Sequence, residues 1–136
     1  MIFNLDNAEP GLPSSVAFQI PVVIKNLIIH RCIINEGAST CIMSTLVKWR
    51  LGSPELTPST ITFRAYDGFL SQPEGLYQNV PIELEGKMVL IDIEVVDAPL
   101  DYNILLGRSY MYAMKAVSSL VFRTMMFPHA GKEEWN

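Results

Sequence analysis

The chain has little of what several kinds of site are built from. Only two cysteines, Cys32 and Cys41, stand among its 136 residues, with no Cys-x-x-Cys spacing and no paired histidines. That excludes a disulfide framework and leaves no zinc-binding pattern. Both cysteines fall in strand-like runs and read as small buried hydrophobes, so neither a metal nor a cofactor is expected. Ten basic residues face fourteen acidic ones, for a net charge of -4, and the ten are scattered along the chain. Phosphate recognition needs clustered Lys and Arg, so nucleic acid is not an expected partner. No apolar run approaches the ~20 residues of a membrane helix, and Met1 to Asp6 lacks the basic-then-apolar order of a secretory leader. An intracellular, cytoplasmic protein without a membrane segment is the expectation.

What the chain does contain is apolar and β-forming. Hydrophobic residues make up 49% of it and charged residues 18%, a balance that gives a packed core rather than a solvated coil. The length suits one domain. Pro10, Gly11, Pro13 and Ser14-Ser15 mark residues 1–15 as a flexible arm. Val16 to Ile24 and Leu27 to Ile34 read as strands around a Lys25-Asn26 turn. Pro21 requires an edge or a bulge in the first of them. Thr45 to Leu51 suits one or two helical turns stopped by Gly52, and Pro54 and Pro58 hold the following loop extended.

The alternation is clearest between Pro81 and Asp97. Ile82 and Leu84 alternate with Glu83 and Glu85, a turn falls at Glu85-Gly86-Lys87, and Val89, Ile91, Ile93 and Val95 share one strand face. The other face runs Met88, Leu90, Asp92, Glu94, which predicts a covered apolar end and a solvated acidic end. Ser109 to Met114 suits a short helix, Ala116 to Phe127 a last β segment, and residues 132–136 a frayed stub. The pattern is mainly β with one or two short helices.

The stretch from Ile29 to Ser44 organises the rest. The β-rich run Cys32-Ile33-Ile34 ends in an Asn35-Glu36-Gly37-Ala38 turn and resumes as Thr40-Cys41-Ile42-Met43-Ser44. A strand interrupted by a small-residue loop holds backbone and one side chain at a fixed place, where chemistry is often carried. Farther on, Ile61 to Phe69 runs β-branched and aromatic residues into Asp67-Gly68, a hairpin signal.

These landmarks, in order, carry a resemblance. Ile33-Ile34-Asn35-Glu36-Gly37-Ala38-Ser39 and the later Ile104-Leu105-Leu106-Gly107-Arg108 resemble the retropepsin-like aspartic proteases. Pro58-Ser59-Thr60, Arg64-Ala65-Tyr66-Asp67-Gly68 and Val96 to Asn103 look like the protease region of polyproteins from plant Ty3/gypsy-type retrotransposons. The resemblance covers roughly Ala17 to Lys132, and a domain spanning 16–131. It implies an all-β, closed-barrel fold with half of an acid-protease active site per chain, completed by a second copy in a homodimer. It implies a loop carrying the catalytic position at Asn35 with Gly37 and Ala38, and a flap at Ala65, Tyr66, Asp67 and Gly68 that covers an extended peptide substrate.

In such a site two carboxylates about 3 Å apart share one proton, so that one acts as base on a water while the other polarises the peptide carbonyl. Here the sequence departs from the family. Asn35 stands where the resemblance places Asp, and an amide cannot take the proton. The loss expected exceeds the roughly 10²- to 10⁴-fold assigned to one acid-base group, because both copies carry the change. Glu36, adjacent in an extended segment, is expected to point away from Asn35. The resemblance therefore implies a retrotransposon endopeptidase domain impaired as written; the alternative is a non-catalytic peptide-binding or polyprotein assembly module on the same fold, holding a peptide by strand addition.

Overall fold

The computed structural model describes residues 2–4, 18–61, 63–64, 70–98, 100–119 and 124–128. In chain order the elements are β1 (Ile2–Asn4), β2 (Phe18–Ile24), β3 (Leu27–Ile34), β4 (Cys41–Ser44), α1 (Thr45–Arg50), β5 (Phe63–Arg64), β6 (Leu70–Ser71), β7 (Gly75–Leu84), β8 (Lys87–Val96), β9 (Ile104–Leu106), α2 (Arg108–Met114), β10 (Val117–Ser119) and β11 (Thr124–Met126). Six strands close a barrel in the order β2-β3-β9-β4-β8-β7, and β1, β11 and β10 form a separate three-stranded sheet.

Turn chemistry sets the barrel's hairpins. Lys25 and Asn26 both take positive φ, 50° and 68°, between the paired ends Ile24 and Leu27. Glu85 and Gly86 do the same between Leu84 and Lys87. Two residues in this conformation match the right-handed twist of the strands they join. Pro21 falls at a bulge, as its missing N–H requires. Pairing steps from Ile20↔Cys32 to Val22↔Ile29, leaving an extra residue on β3 where Arg31 adopts φ 57°. A second bulge puts Asn79 at φ 55° on β7, its N–H donating to Asp92 Oδ1 at 2.9 Å.

The barrel interior is aliphatic. Ile20, Ile24, Met43, Ile82, Ile93, Ile104 and Leu106 are fully buried, and α2 adds Tyr110 and Met114. Cys32 and Cys41 belong to this core as free thiols. Short α1 is capped at its start by Ser44, whose Oγ accepts from Val47 N at 3.3 Å, and leaves the helix at Gly52 with φ 88°.

Three expectations change. Ile2–Asn4, read as part of an arm, form β1 and pair with Thr124–Met126. Ala116 to Phe127, read as one β segment, contains two antiparallel strands, β10 and β11. The outer face of β8 is covered at the opposite end from that expected. Met88 and Leu90 are exposed beside the hairpin turn, whereas Glu94 is buried with Ser59 Oγ donating to its Oε1 at 2.5 Å. The reason is position along the strand: Glu94 sits deep in the sheet beside Ile42 of β4 and under the loop that carries Ser59.

Candidate active site

The loop from Asn35 to Thr40 joins β3 to β4, and β9 runs between those two strands, parallel to β3 and antiparallel to β4. The loop therefore arches over the end of β9. Its two feet are fastened there by backbone. Asn35 N–H donates to Leu106 O at 3.1 Å, and Arg108 N–H donates to Ala38 O at 2.7 Å. Within the loop Ala38 N–H donates to Asn35 O at 3.1 Å, closing a four-residue turn.

Gly107 is the platform. A β-carbon there would stand 2.3 Å from Thr40 O and 2.7 Å from Ala38 O, both backbone atoms with nowhere to go. Only the absence of a side chain lets the β9–α2 junction approach the loop this closely. Beneath it, Gly107 N–H donates to Cys41 Sγ at 3.4 Å, and Cys41 Sγ lies 3.3 Å from Ser109 Oγ. Burial pushes the Cys41 thiol up, against the opposing pull of bonds from Ser109, Gly107 and Tyr110. A neutral, fully buried thiol is a packing group and not a nucleophile.

Of the residues expected in the site, Asn35, Gly37 and Ala38 come together on this loop. Asn35 and Gly37 are exposed, and Ala38 is half-buried. The Asn35 side chain folds back over the turn, its Oδ1 accepting from Gly37 N–H at 2.9 Å. A β-carbon at Gly37 would press against that oxygen at 3.1 Å, so glycine there makes room for the contact. A carboxylate at position 35 would be stabilised in its charged form by the same N–H. The amide instead spends its acceptor on the turn and offers only a donor at Nδ2, which can polarise a carbonyl but cannot take a proton from water. Glu36 is exposed beside it.

The other expected residues, Ala65, Tyr66, Asp67 and Gly68, lie outside the described residues. Their flanks do form an antiparallel pair, Phe63↔Ser71 and Arg64↔Leu70. Both stems of this excursion are tied down. Thr57 bridges Leu76, Ile61 N–H donates to Ser59 Oγ at 3.2 Å, and Glu74 pairs with Lys48 of α1 while accepting from Thr45 Oγ1 at 3.2 Å. The supporting roles of Gly107, Arg108 and Cys41 were not legible as site residues, because they act across 66 or more positions of sequence. The run Ile104 to Arg108 is a signal for Gly107 and Arg108, whereas Cys41 reads only as a core residue.

Among the described residues, no group of three or more His, Cys, Asp or Glu side chains converges to hold a metal ion, and no helix is long and apolar enough to cross a membrane.

A closed six-stranded barrel in which a short loop is cradled between two strands by a third defines a retropepsin-like fold, mostly β with two short helices. Solved structures share it. The chain is similar to the retroviral protease-like domain of Ddi1 from Leishmania major, with 15% identity and a TM-score of 0.67 over 84% of this chain and 90% of that one. It is also similar to a retropepsin-like aspartic protease from Rickettsia conorii, with 16% identity and a TM-score of 0.62 over 92% of this chain and 86% of that one. No protein-family model and no curated protein sequence matches the chain.

Proposed function

We propose that residues 16–131 are the aspartic endopeptidase domain of a plant Ty3/gypsy-type retrotransposon polyprotein, cytoplasmic and working as a homodimer, with Asn35 at the position of the catalytic carboxylate. In this reading each copy contributes one loop with Asn35, Gly37 and Ala38, and the segment at Ala65, Tyr66, Asp67 and Gly68 closes over an extended peptide. As written the chain hydrolyses peptides negligibly, since neither copy supplies a base to activate water.

The observation that carries the reading is the 2.9 Å bond from Gly37 N–H to Asn35 Oδ1, on a loop held over Gly107. It is a carboxylate-ready position occupied by an amide. Oδ1 of an aspartate would accept the same bond, and its second oxygen would remain for water or for a partner carboxyl.

The test is Asn35→Asp, assayed for cleavage of polyprotein-junction peptides at mildly acid pH beside sedimentation at several concentrations. Cleavage by the aspartate form, with a bell-shaped pH profile and second-order dependence on protomer at low concentration, is the expected result. A folded, dimeric Asp form that cuts none of the peptides would overturn the endopeptidase reading. Peptide binding without cleavage by that form would favour the assembly-module alternative.

A further inference from the structure

The edge of β3 distant from the candidate active site is unfinished. Ile24 and Leu27 flank a two-residue turn and exchange both of their ladder bonds, so Ile28, opposite Val23, turns its N–H and C=O away from β2. On that outer side β9 pairs with β3 only from Cys32 onward. Asn103 extends the contact by one step, its N–H donating to Arg31 O at 2.9 Å and its Nδ2 to His30 O at 2.7 Å. Beyond Asn103, among the described residues, the neighbouring position is taken not by a strand but by a cavity of about 190 Å³ between β3 and α1, lined by Ile28, His30, Leu46, Arg50 and Asn103 among others. That exceeds the ~150 Å³ that accommodates a benzene-sized group.

The groove is mixed in character, with aliphatic side chains beside His30, Asn103 and the cationic Arg50. Ile28 is 62% exposed and Leu46 66%, so two large apolar side chains that the fold leaves outside line it. Among the described residues no Asp or Glu lines the cavity. Arg50 projects from the last turn of α1 and makes no ion pair among the described residues. On a chain of net charge -4 this is a local positive rim beside an open strand edge.

We propose that this groove binds an extended segment of another polypeptide by strand addition, with an apolar side chain of that segment between Ile28 and Leu46 and, two positions away on the same face of the added strand, an Asp or Glu on Arg50. The backbone of Ile28 supplies the ladder bonds, the exposed Ile28 and Leu46 side chains select the apolar side chain, and the guanidinium fork takes the carboxylate. The site is separate from the loop at Asn35, so it stands whether or not the chain hydrolyses peptides.

The probe is a blocked heptapeptide of alternating threonine and valine in which Asp and Leu stand two positions apart about the centre (the Asp-Leu peptide), beside its counterpart with Lys in place of Asp (the Lys-Leu peptide), titrated into the whole 136-residue chain and followed by backbone amide NMR. The expected result is saturable shifts at Ile28, Leu46 and Arg50 with the Asp-Leu peptide and slowed exchange of the Ile28 amide. Arg50→Glu is expected to weaken that peptide by about tenfold or more while admitting the Lys-Leu peptide. Arg50 is exposed, and an unchanged melting temperature confirms the variant's fold. The proposal is overturned by no saturable binding, by equal binding of the two peptides, or by shifts confined to residues 35–38. Concentration-dependent shifts at Ile28 and Leu46 without any peptide would also overturn it, assigning the groove to a second copy of the chain.

Discussion

Gly107 backs directly onto Thr40: a β-carbon at 107 would stand 2.3 Å from the Thr40 carbonyl oxygen. The contact joins the β9–α2 junction to the far foot of the Asn35 loop, and both partners are backbone. Gly107→Ala therefore has to move either the loop or the start of α2, since no side chain can swing aside. Overpacking of this kind costs roughly 1–3 kcal/mol, and the bond from Arg108 N–H to Ala38 O at 2.7 Å is strained with it. Urea unfolding of the alanine variant should show a lower midpoint with an unchanged slope. A midpoint equal to that of the parent would mean the loop does not rest on Gly107.

The barrel was legible in the sequence wherever a local rule forced the outcome. Lys25-Asn26 and Glu85-Gly86 announce their hairpins, Pro21 its bulge and Gly52 the end of α1, because each is a matter of φ or of a missing N–H. The candidate site was legible as a run of small residues after a strand. What holds it was not, for Gly107, Cys41 and Ala38 meet only once the barrel has closed. Burial along β8 failed for the same reason: alternation identifies the two faces but not which end of the outer face another segment covers. Glu94 reads as a solvated acid until Ser59, 35 positions earlier, is laid over it.

That pairing gives a sharp contrast. Glu94 is 4% exposed, and its carboxyl is held by Ser59 Oγ at 2.5 and 3.3 Å. Ser59→Ala leaves a buried acid without this donor, a loss of about 1–3 kcal/mol for a buried polar group left unsatisfied. Exchanging both residues, Ser59→Ala with Glu94→Leu, should recover most of it, because the buried carboxyl is gone and only the half-buried Ile61 N–H loses its Ser59 acceptor. Thermal melts of the single and double variants decide it, and a double variant less stable than the single would sink the account.

Tyr110 presents the opposite case. It is fully buried, and its hydroxyl finds no hydrogen-bond partner among the described residues. Burial, with Cys32 and Cys41 close by, pushes the hydroxyl's ionisation up, so it stays neutral and unpaired. Tyr110→Phe keeps the ring that fills the core and removes a desolvated hydroxyl. Stability should rise, or at least not fall, by up to about 1 kcal/mol. A loss of stability, measured by denaturant unfolding, would show that the hydroxyl is satisfied in solution.

Lys87 ties the β7–β8 hairpin to the C-terminal end of α2 and to the segment after β11. Its Nζ donates to Met114 O at 2.7 Å and Pro128 O at 2.6 Å, and it lies 5.7 Å from the centre of the Phe127 ring. Desolvation, helped by the Lys115 charge, lowers its ionisation, yet two carbonyls depend on it. Lys87→Met preserves the apolar stem and strips both donors, at a cost of about 1–3 kcal/mol. Hydrogen exchange should then rise first in β11 and at the end of α2. Unchanged exchange at Met114 and Met125 would contradict the tie.

The ion pair between Lys48 and Glu74 makes the stem of the Phe63–Ser71 excursion sensitive to acid. The hydrogen bond from Lys48 is the largest influence on the Glu74 carboxyl, burial opposes it, and the Lys48 charge and Thr45 hydroxyl add to it; the net result holds the carboxyl below its usual range. A carboxyl whose folded value is depressed contributes stability that is complete above its unfolded value, about 4.3, and is lost as pH falls through the folded value. The Glu74 side chain is 35% exposed, so solvent screening limits the contribution to roughly 0.5 kcal/mol. Glu74→Gln should therefore lie below the parent in stability at neutral pH and converge with it under acid, below about pH 4. The stem should loosen over the same range, with faster exchange at the Glu74 and Leu76 amides, which donate to Val95 O and Thr57 O at 2.7 Å each. A constant stability gap between parent and variant from neutral to acid pH would show that the pair does not hold the stem.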